Sequence, residues 1–186
     1  LLAERGEVTL ERYRPAGEAE GDGDPRWDLW QACQQVSRCS WQAQSQTGTT
    51  LTHRSVQPFL QEAHAVAAKK GMLDLCLLLV DRQPVAFNYR YHWDGTVFGL
   101  RMGYDPHFAR EGCGNVLLAR TVRDSYQRGD HRFDLGPGQL NYKCRYSTHL
   151  ETCYHCTHFP VSSLRAQALG LKRWIKGTQG QGHDAA

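Results

Sequence analysis

The sequence predicts an α/β (α+β) domain in which a mixed, mostly antiparallel central sheet is flanked by helices. Three observations carry this expectation. Three consecutive strand-like segments between Leu73 and Tyr104 are joined by tight-turn signals, which gives an antiparallel meander. Segments of helical period stand on both sides of that meander in the chain. A Gly-rich break at Gly112-Cys113-Gly114 then opens a further helix that leads to another strand.

The elements follow in order. Glu7 to Tyr13 alternates polar and apolar residues, the mark of a strand exposed on one face. Pro15 to Pro25 holds three Gly and four acidic residues with nothing apolar beyond Ala, and is expected as a mobile linker. Trp27, Trp30, Cys33 and Val36 recur at three-residue spacing and predict a helix. A second helix, Val56 to Lys70, is expected to bury Phe59, Ala63, Val66 and Ala67 and to stop at Gly71. Leu73 to Val80 is nearly all apolar and reads as a central strand, turned by Asp81-Arg82-Gln83-Pro84 into Val85 to Tyr91. Asp94-Gly95 supplies the left-handed residues of a two-residue hairpin into Thr96 to Tyr104, and Asp105-Pro106 ends that strand. The helix opened by Gly112 carries Val116, Leu117, Val122 and Tyr126 as its apolar stripe and closes at Gly129. A short strand from His131 to Leu135, a Gly-Pro-Gly break at Gly136 to Gly138 and a short segment to Arg145 follow. Glu151 to Phe159 is expected as a strand, and Ser162 to Lys176 as a basic amphipathic helix. One domain over residues 1–176 with a flexible tail over 177–186 is the expected organisation.

Composition narrows the function. The 186 residues carry 22 Lys plus Arg against 19 Asp plus Glu, a formal charge of +3, with 40% hydrophobic and 22% charged residues. The charge is mixed along the chain, which argues against a nucleic-acid partner and leaves small anions open. The longest apolar run, Leu75 to Val80, is far short of the ~20 residues that a membrane span needs. Seven cysteines, an odd number without dense spacing, point to a reducing, cytoplasmic compartment. The start, Leu1-Leu2-Ala3-Glu4-Arg5, has neither Met nor a signal pattern and suggests a fragment of a longer chain.

The strongest local motif is Arg110-Glu111-Gly112-Cys113-Gly114-Asn115, between a strand end and a helix start. Two glycines admit close approach of a ligand to the backbone, and unpaired N–H groups with the helix dipole favour phosphate; a plain turn is the alternative. The motif lacks the Lys-Ser/Thr pair of nucleotide-hydrolysing loops, so it suits the pyrophosphate of a CoA-like cofactor better than a triphosphate.

With these residues in place, the element order resembles the GNAT acyltransferase fold. Tyr104-Asp105-Pro106, Gly112-Cys113-Gly114, Gly129, Phe133-Asp134-Leu135-Gly136, Gly138 and Tyr142-Lys143 resemble the acetyltransferase-like family associated with cellulose and exopolysaccharide biosynthesis, itself similar to Fem-type peptidyltransferases. Ser40-Trp41, Gly71 to Leu75 and Arg82 to Phe87 add to the resemblance, which covers roughly Trp27 to Arg145. It implies acyl transfer from acetyl-CoA or another acyl-CoA to a small-molecule amine, in a ternary complex and without a metal. The pyrophosphate would lie on the backbone of Gly112 to Asn115, the thioester beside the Thr96 to Tyr104 strand. Relatives often pair two copies of the fold, so a second GNAT-like domain or a homodimer is an expected partner. One departure is that Ala109 stands where the general GNAT phosphate loop has Arg or Gln, with Arg110 displaced by one.

Direct transfer needs a base for the amine, a donor for the thioester oxygen and an acid for the thiolate. Asp134 could be the base or orient it, or it could cap the Gly-Pro-Gly turn. Tyr142 could protonate the sulfur, or be a core aromatic. Lys143, by resemblance to the family's Tyr-Lys pair, would neutralise a phosphate or a substrate carboxylate. Asp105 and His107 flank the loop as further candidates. Cys113 at a helix start could be an activated nucleophile, or a small residue in a turn. Cys153, His155, Cys156 and His158, with Cys144 and His149 nearby, invite zinc; on a strand, however, these side chains would alternate between faces and not converge. The basic helix with Arg165, Lys172, Arg173 and Lys176 could touch a membrane surface or be a solvated face. The acidic Glu18, Glu20, Asp22 and Asp24 could attract a cationic acceptor or line a mere linker. Aminoacyl transfer from tRNA and a noncatalytic scaffolding module are the alternative functions.

Overall fold

The polypeptide's computed structural model describes all residues except 41–42, 44–49, 138–140, 153, 155, 157 and 180–186. Trp41, Gly138, Cys153 and His155 therefore lie outside the described residues. The chain forms two compact units, Leu1–Ser147 and Thr148–Ala186.

In the first unit the elements run β1 (Val8–Tyr13), α1 (Trp27–Cys39), α2 (Gln57–Lys69), β2 (Leu73–Val80), β3 (Gln83–Trp93), β4 (Thr96–Tyr104), α3 (Cys113–Gln127), β5 (Arg132–Asp134) and α4 (Asn141–Tyr146). The sheet has the order β1-β2-β3-β4-β5. Its first four strands are antiparallel and only β5 runs parallel to its neighbour β4. Both hairpin turns of the meander use consecutive left-handed residues, Asp81 and Arg82 (φ 48° and 66°) and Asp94 and Gly95 (φ 46° and 63°). That backbone matches the strand twist and fixes the register of β2, β3 and β4.

The sheet separates two cores. On one face Trp30, Cys33, Val36, Leu60, Ala67 and Ala68 of α1 and α2 cover Leu73, Leu75, Leu77, Phe87 and Tyr89. On the other, Cys113 and Leu117 of α3 pack on Cys76, Leu78, Val80, Val85 and Ala86. Strand alternation delivers successive residues of β2 to opposite cores, which is why β2 is apolar at every position but Asp74.

The helices are seated differently from their apolar periodicity. In α2, Leu60, His64, Ala67 and Ala68 are buried, while Phe59 is 70% and Val66 45% exposed. In α3 the buried stripe is Cys113, Leu117, Leu118, Thr121 and Ser125, and Tyr126 is 83% exposed. In both helices a polar residue takes an inward position because a partner satisfies it. His64 Nε2 donates to the Pro25 carbonyl at 2.6 Å and Thr121 Oγ1 to the Leu117 carbonyl at 2.7 Å. The Pro15 to Pro25 linker is also structured: a 3-10 turn at Glu18–Glu20 is closed by the Gly17 N–H on the Asp22 carbonyl (2.7 Å), and Tyr13 donates to the Asp24 carbonyl (2.5 Å).

A buried ion network pins β1 to β2 and to the end of α3. Asp74, fully buried in β2, accepts from Arg12 Nε (2.9 Å), Arg12 Nη2 (2.6 Å) and Arg14 Nη2 (3.0 Å). Arg12 also reaches Asp124 at 2.8 Å, and Arg14 reaches Asp130 at 2.6 Å. Burial works to raise all three carboxyls, but the arginine hydrogen bonds and charges outweigh it and hold them below the usual carboxylate range.

In the second unit α5 (Leu164–Gln179) extends past the expected helix end at Lys176 into the segment expected as tail. Ser163 caps its start, accepting from the Ala166 N–H. The described residues between Glu151 and Phe159 form no strand.

Candidate active site

The parallel pairing of β5 with β4 lasts three residues, Thr96–Arg132, Val97–Phe133 and Phe98–Asp134. Beyond Phe98, β4 runs on to Tyr104 without a β5 partner, so the two strands part. The parting begins at Gly99, where an added Cβ would stand 2.9 Å from the Asp134 carbonyl oxygen; only glycine lets the chain cross there. A bulge between Tyr89 and Arg90 in the β3–β4 register reinforces it, since Tyr89 faces Arg101 but Arg90 faces Gly99. The result is a cleft of about 340 Å³ whose walls include Asn88, Arg90, Arg101, Met102, Leu118, Asp134, Gly136, Tyr142 and Lys143.

The three residues proposed for acyl transfer thus line one cleft. Tyr142, on α4, donates its hydroxyl to Met102 Sδ at 3.0 Å. Burial pushes that hydroxyl above the usual tyrosine range, and the positive charge of Arg90 pulls it back. Asp134 lies at the end of β5, at the edge of the described sheet rather than at its centre, and its Oδ1 accepts from the Gly136 N–H at 2.6 Å. Lys143 Nζ donates to the carbonyls of Gly136 (3.0 Å) and Pro137 (2.6 Å). Burial lowers its pKa, which Asp134 partly offsets. Asp134 and Lys143 therefore clamp the turn after β5 from both sides.

The phosphate-loop candidates lie at the start of α3 and are not walls of this cleft. Gly112 is the residue before the helix, at φ 69°, with open space where a side chain would stand. No side chain caps the helix, and an uncapped helix start is a place where an anion can be held. Gly114 has a different reason to be small, since its Cβ would come within 3.2 Å of the Tyr104 ring. Arg110 and Asn115 are exposed beside the loop. Cys113 points into the core, and burial pushes its thiol up to about 11, the opposite of an activated nucleophile. Asp105 and His107 pair with each other at 2.8 Å, with Asp105 capping the short 3-10 turn Pro106–Phe108.

Among the described residues no group of three or more His, Cys, Asp or Glu is placed to hold a metal, and no helix is long and apolar enough to cross a membrane. The wall residues Asn88, Arg90, Arg101 and Met102 escaped the sequence reading. A signal existed for two of them, because Asn88 and Arg90 are polar at period two between Phe87, Tyr89 and Tyr91. Arg90 is buried, stacks on the Phe133 ring at 4.7 Å and donates to Cys76 Sγ at 3.6 Å. Burial lowers its pKa.

A family model described as an acetyltransferase (GNAT) domain matches residues 1–144. Among solved structures, the aminoglycoside acetyltransferase meta-AAC0020 from an uncultured soil metagenomic sample, in complex with sisomicin, is similar with a TM-score of 0.56 at 12% identity, over 85% of this chain and 98% of that one. A GCN5-related N-acetyltransferase from Ralstonia eutropha JMP134 gives 0.54 at 12% identity, over 84% and 100%. The acetyltransferase AAC(6')-Iy, in complex with the bisubstrate analog CoA-S-monomethyl-acetylneamine, gives 0.52 at 11%, over 82% and 100%. At these identities the likeness is one of fold. No curated protein matches the chain.

Proposed function

The chain belongs to the GNAT acetyltransferase family, and on that premise we propose that it transfers an acyl group, acetyl in the first instance, from acyl-CoA to the amine of an amino sugar, amino acid or related metabolite. The observation that carries the reading is the cleft where β4 and β5 part, lined by Tyr142, Asp134 and Lys143. The neighbour of the same fold in complex with a CoA-containing bisubstrate analog supports the choice of donor. The backbone of Gly112 to Asn115, with Arg110 beside it, would hold the pyrophosphate; no metal is required.

In this account the amine nitrogen attacks the thioester carbonyl carbon, forming the amide C–N bond as the C–S bond breaks. Peptide groups on the β4 edge beyond Phe98 donate to the carbonyl oxygen, because that edge has no β5 partner among the described residues. Asp134 takes the proton that the amine loses. Tyr142 gives its proton to the departing thiolate. Lys143 holds the turn that positions Asp134. Within the family, Phe133-Asp134-Leu135-Gly136 and Tyr142-Lys143 favour the branch associated with cellulose and exopolysaccharide biosynthesis, acting in the cytoplasm.

The test is release of free thiol from acetyl-CoA against a panel of amines. Amine-dependent release supports transfer. Tight acetyl-CoA binding with no release on any amine favours a noncatalytic module, and salt-sensitive tRNA binding favours aminoacyl transfer.

A further inference from the structure

The cleft carries more positive charge than the acyl donor accounts for. Among the described residues its walls hold three cationic side chains, Arg90, Arg101 and Lys143, against one carboxylate, Asp134. The ammonium of Lys143 is spent on the carbonyls of Gly136 and Pro137, while Asp134 accepts from the Gly136 N–H through Oδ1 alone.

The two guanidinium groups have no direct ion pair. Neither has a carboxylate within 4.0 Å among the described residues, although Arg12 on β1 and Arg14 just after it have several. Arg90 stands opposite Asp74 in the β2–β3 pairing and feels its charge without touching it; the groups in contact with its guanidinium are neutral, namely the Cys76 thiol, the Phe133 ring and, with its amide turned to face it, the Asn88 oxygen. Arg101 donates Nη1 to the Leu100 carbonyl at 2.8 Å, while its buried Nε has no acceptor. A guanidinium with a buried N–H and no anion is costly, and Arg101, with Arg90 on the adjoining strand, gives this cleft wall a place for an anion.

That anion is not the CoA pyrophosphate, whose proposed loop at Gly112 to Asn115 lies outside the cleft walls; the 3′-phosphate of CoA lies beyond the pyrophosphate, on the adenosine side, and the arm that links the pyrophosphate to the thioester is uncharged. The acceptor is what remains. We infer that the acceptor is an amine that also carries a carboxylate, such as an amino acid or an amino uronic acid, and that Arg101 with Arg90 binds that carboxylate. A polycationic aminoglycoside would be repelled by the same walls. The inference rests on the acyltransferase reading above.

The experiment measures acetyl-CoA-dependent thiol release with matched acceptors: an amino acid against its amide, an amino uronic acid against the parent amino sugar, and sisomicin. The expected result is a kcat/KM at least about tenfold higher for the acid of each pair, and no turnover of sisomicin. In Arg101→Gln the acid-over-neutral preference should fall about tenfold, through KM of the acid. Arg101→Lys should restore part of it. Acid and neutral acceptors within twofold of one another, or a preference for sisomicin, overturn the inference. Bound acetyl-CoA with no turnover of any acid overturns it and leaves the donor site standing, whereas failure of acetyl-CoA to bind removes the transferase reading and the inference with it.

Discussion

Asp74→Asn is the sharpest test of how the scaffold holds the site. Asp74 is fully buried and accepts three hydrogen bonds from two arginines, at 2.6, 2.9 and 3.0 Å. The amide keeps the shape but removes the charge, and it turns an NH2 group toward a guanidinium that can only donate. Breaking a buried pair costs about 3–5 kcal/mol. Because Arg12 keeps Asp124 at 2.8 Å, the lower end, about 3 kcal/mol, is expected. For a chain of this size that lowers Tm by roughly 6–12 °C. The effect also has a pH signature. Asp74, Asp124 and Asp130 have folded pKa values held below those of the unfolded chain, so the unfolded state binds more protons as pH falls below about 4. Stability is present above that range and is lost as pH drops through the folded values. Asp74→Asn should therefore shrink the acid-side loss as well as the neutral-pH stability. Thermal melts from pH 3 to 7 for both proteins measure this. A variant melting within about 2 °C of the parent at pH 7, with the same acid limb, would refute the network as the pin between β1, β2 and α3.

Four further outcomes are expected. Tyr142→Phe should lower kcat by about a hundredfold or more with acetyl-CoA affinity nearly kept; equal loss of both in transient kinetics would mean a packing role. Cys113→Ala should retain turnover, since the thiol is buried and pushed up to about 11, and an inactive but folded variant would restore the nucleophile reading. Gly99→Ala drives a methyl to 2.9 Å from the Asp134 carbonyl oxygen, so β5 must move and about 1–3 kcal/mol should be lost, together with turnover; unchanged urea unfolding would contradict the crossing. His64 is buried and held neutral, with its pKa lowered first by burial. Its contribution should fade as pH drops below about 6.5, well before the carboxylates titrate, and His64→Gln should remove that part of the pH–stability curve.

The meander was legible because its information is local. Leu73 to Val80 is bounded by Asp81-Arg82, Asp94-Gly95 closes the next hairpin, and apolar composition placed β2 inside the sheet, where it lies between β1 and β3 and the middle strand is β3. Helix existence was equally local, but helix facing was not. Apolar counting sent Phe59 and Tyr126 inward, whereas the folded chain turns His64, Thr121 and Ser125 inward because partners satisfy them, distant in the chain for His64 and Ser125 and one turn back in α3 for Thr121. Of the cleft, Asp134, Tyr142 and Lys143 stand in a short stretch and were found through the resemblance. Arg90 and Arg101 come from two other strands, and only the β3–β4 register and the parting of β5 bring them to the same wall. The ion network was hidden for the same reason, since Arg12 meets Asp74 and Asp124 across 62 and 112 residues of chain. A charged residue in the run Leu73-Asp74-Leu75 was its one visible trace.

Calorimetric titration of the purified chain with acetyl-CoA tests the central claim most directly, because the cleft and the α3 loop have a shared purpose only if they hold that molecule. The account predicts saturable one-site binding, weakened about tenfold by the surface substitution Arg110→Glu at low salt and less so at higher salt, where the charge is screened. Absence of binding by the folded chain, or binding indifferent to Arg110, would contradict it.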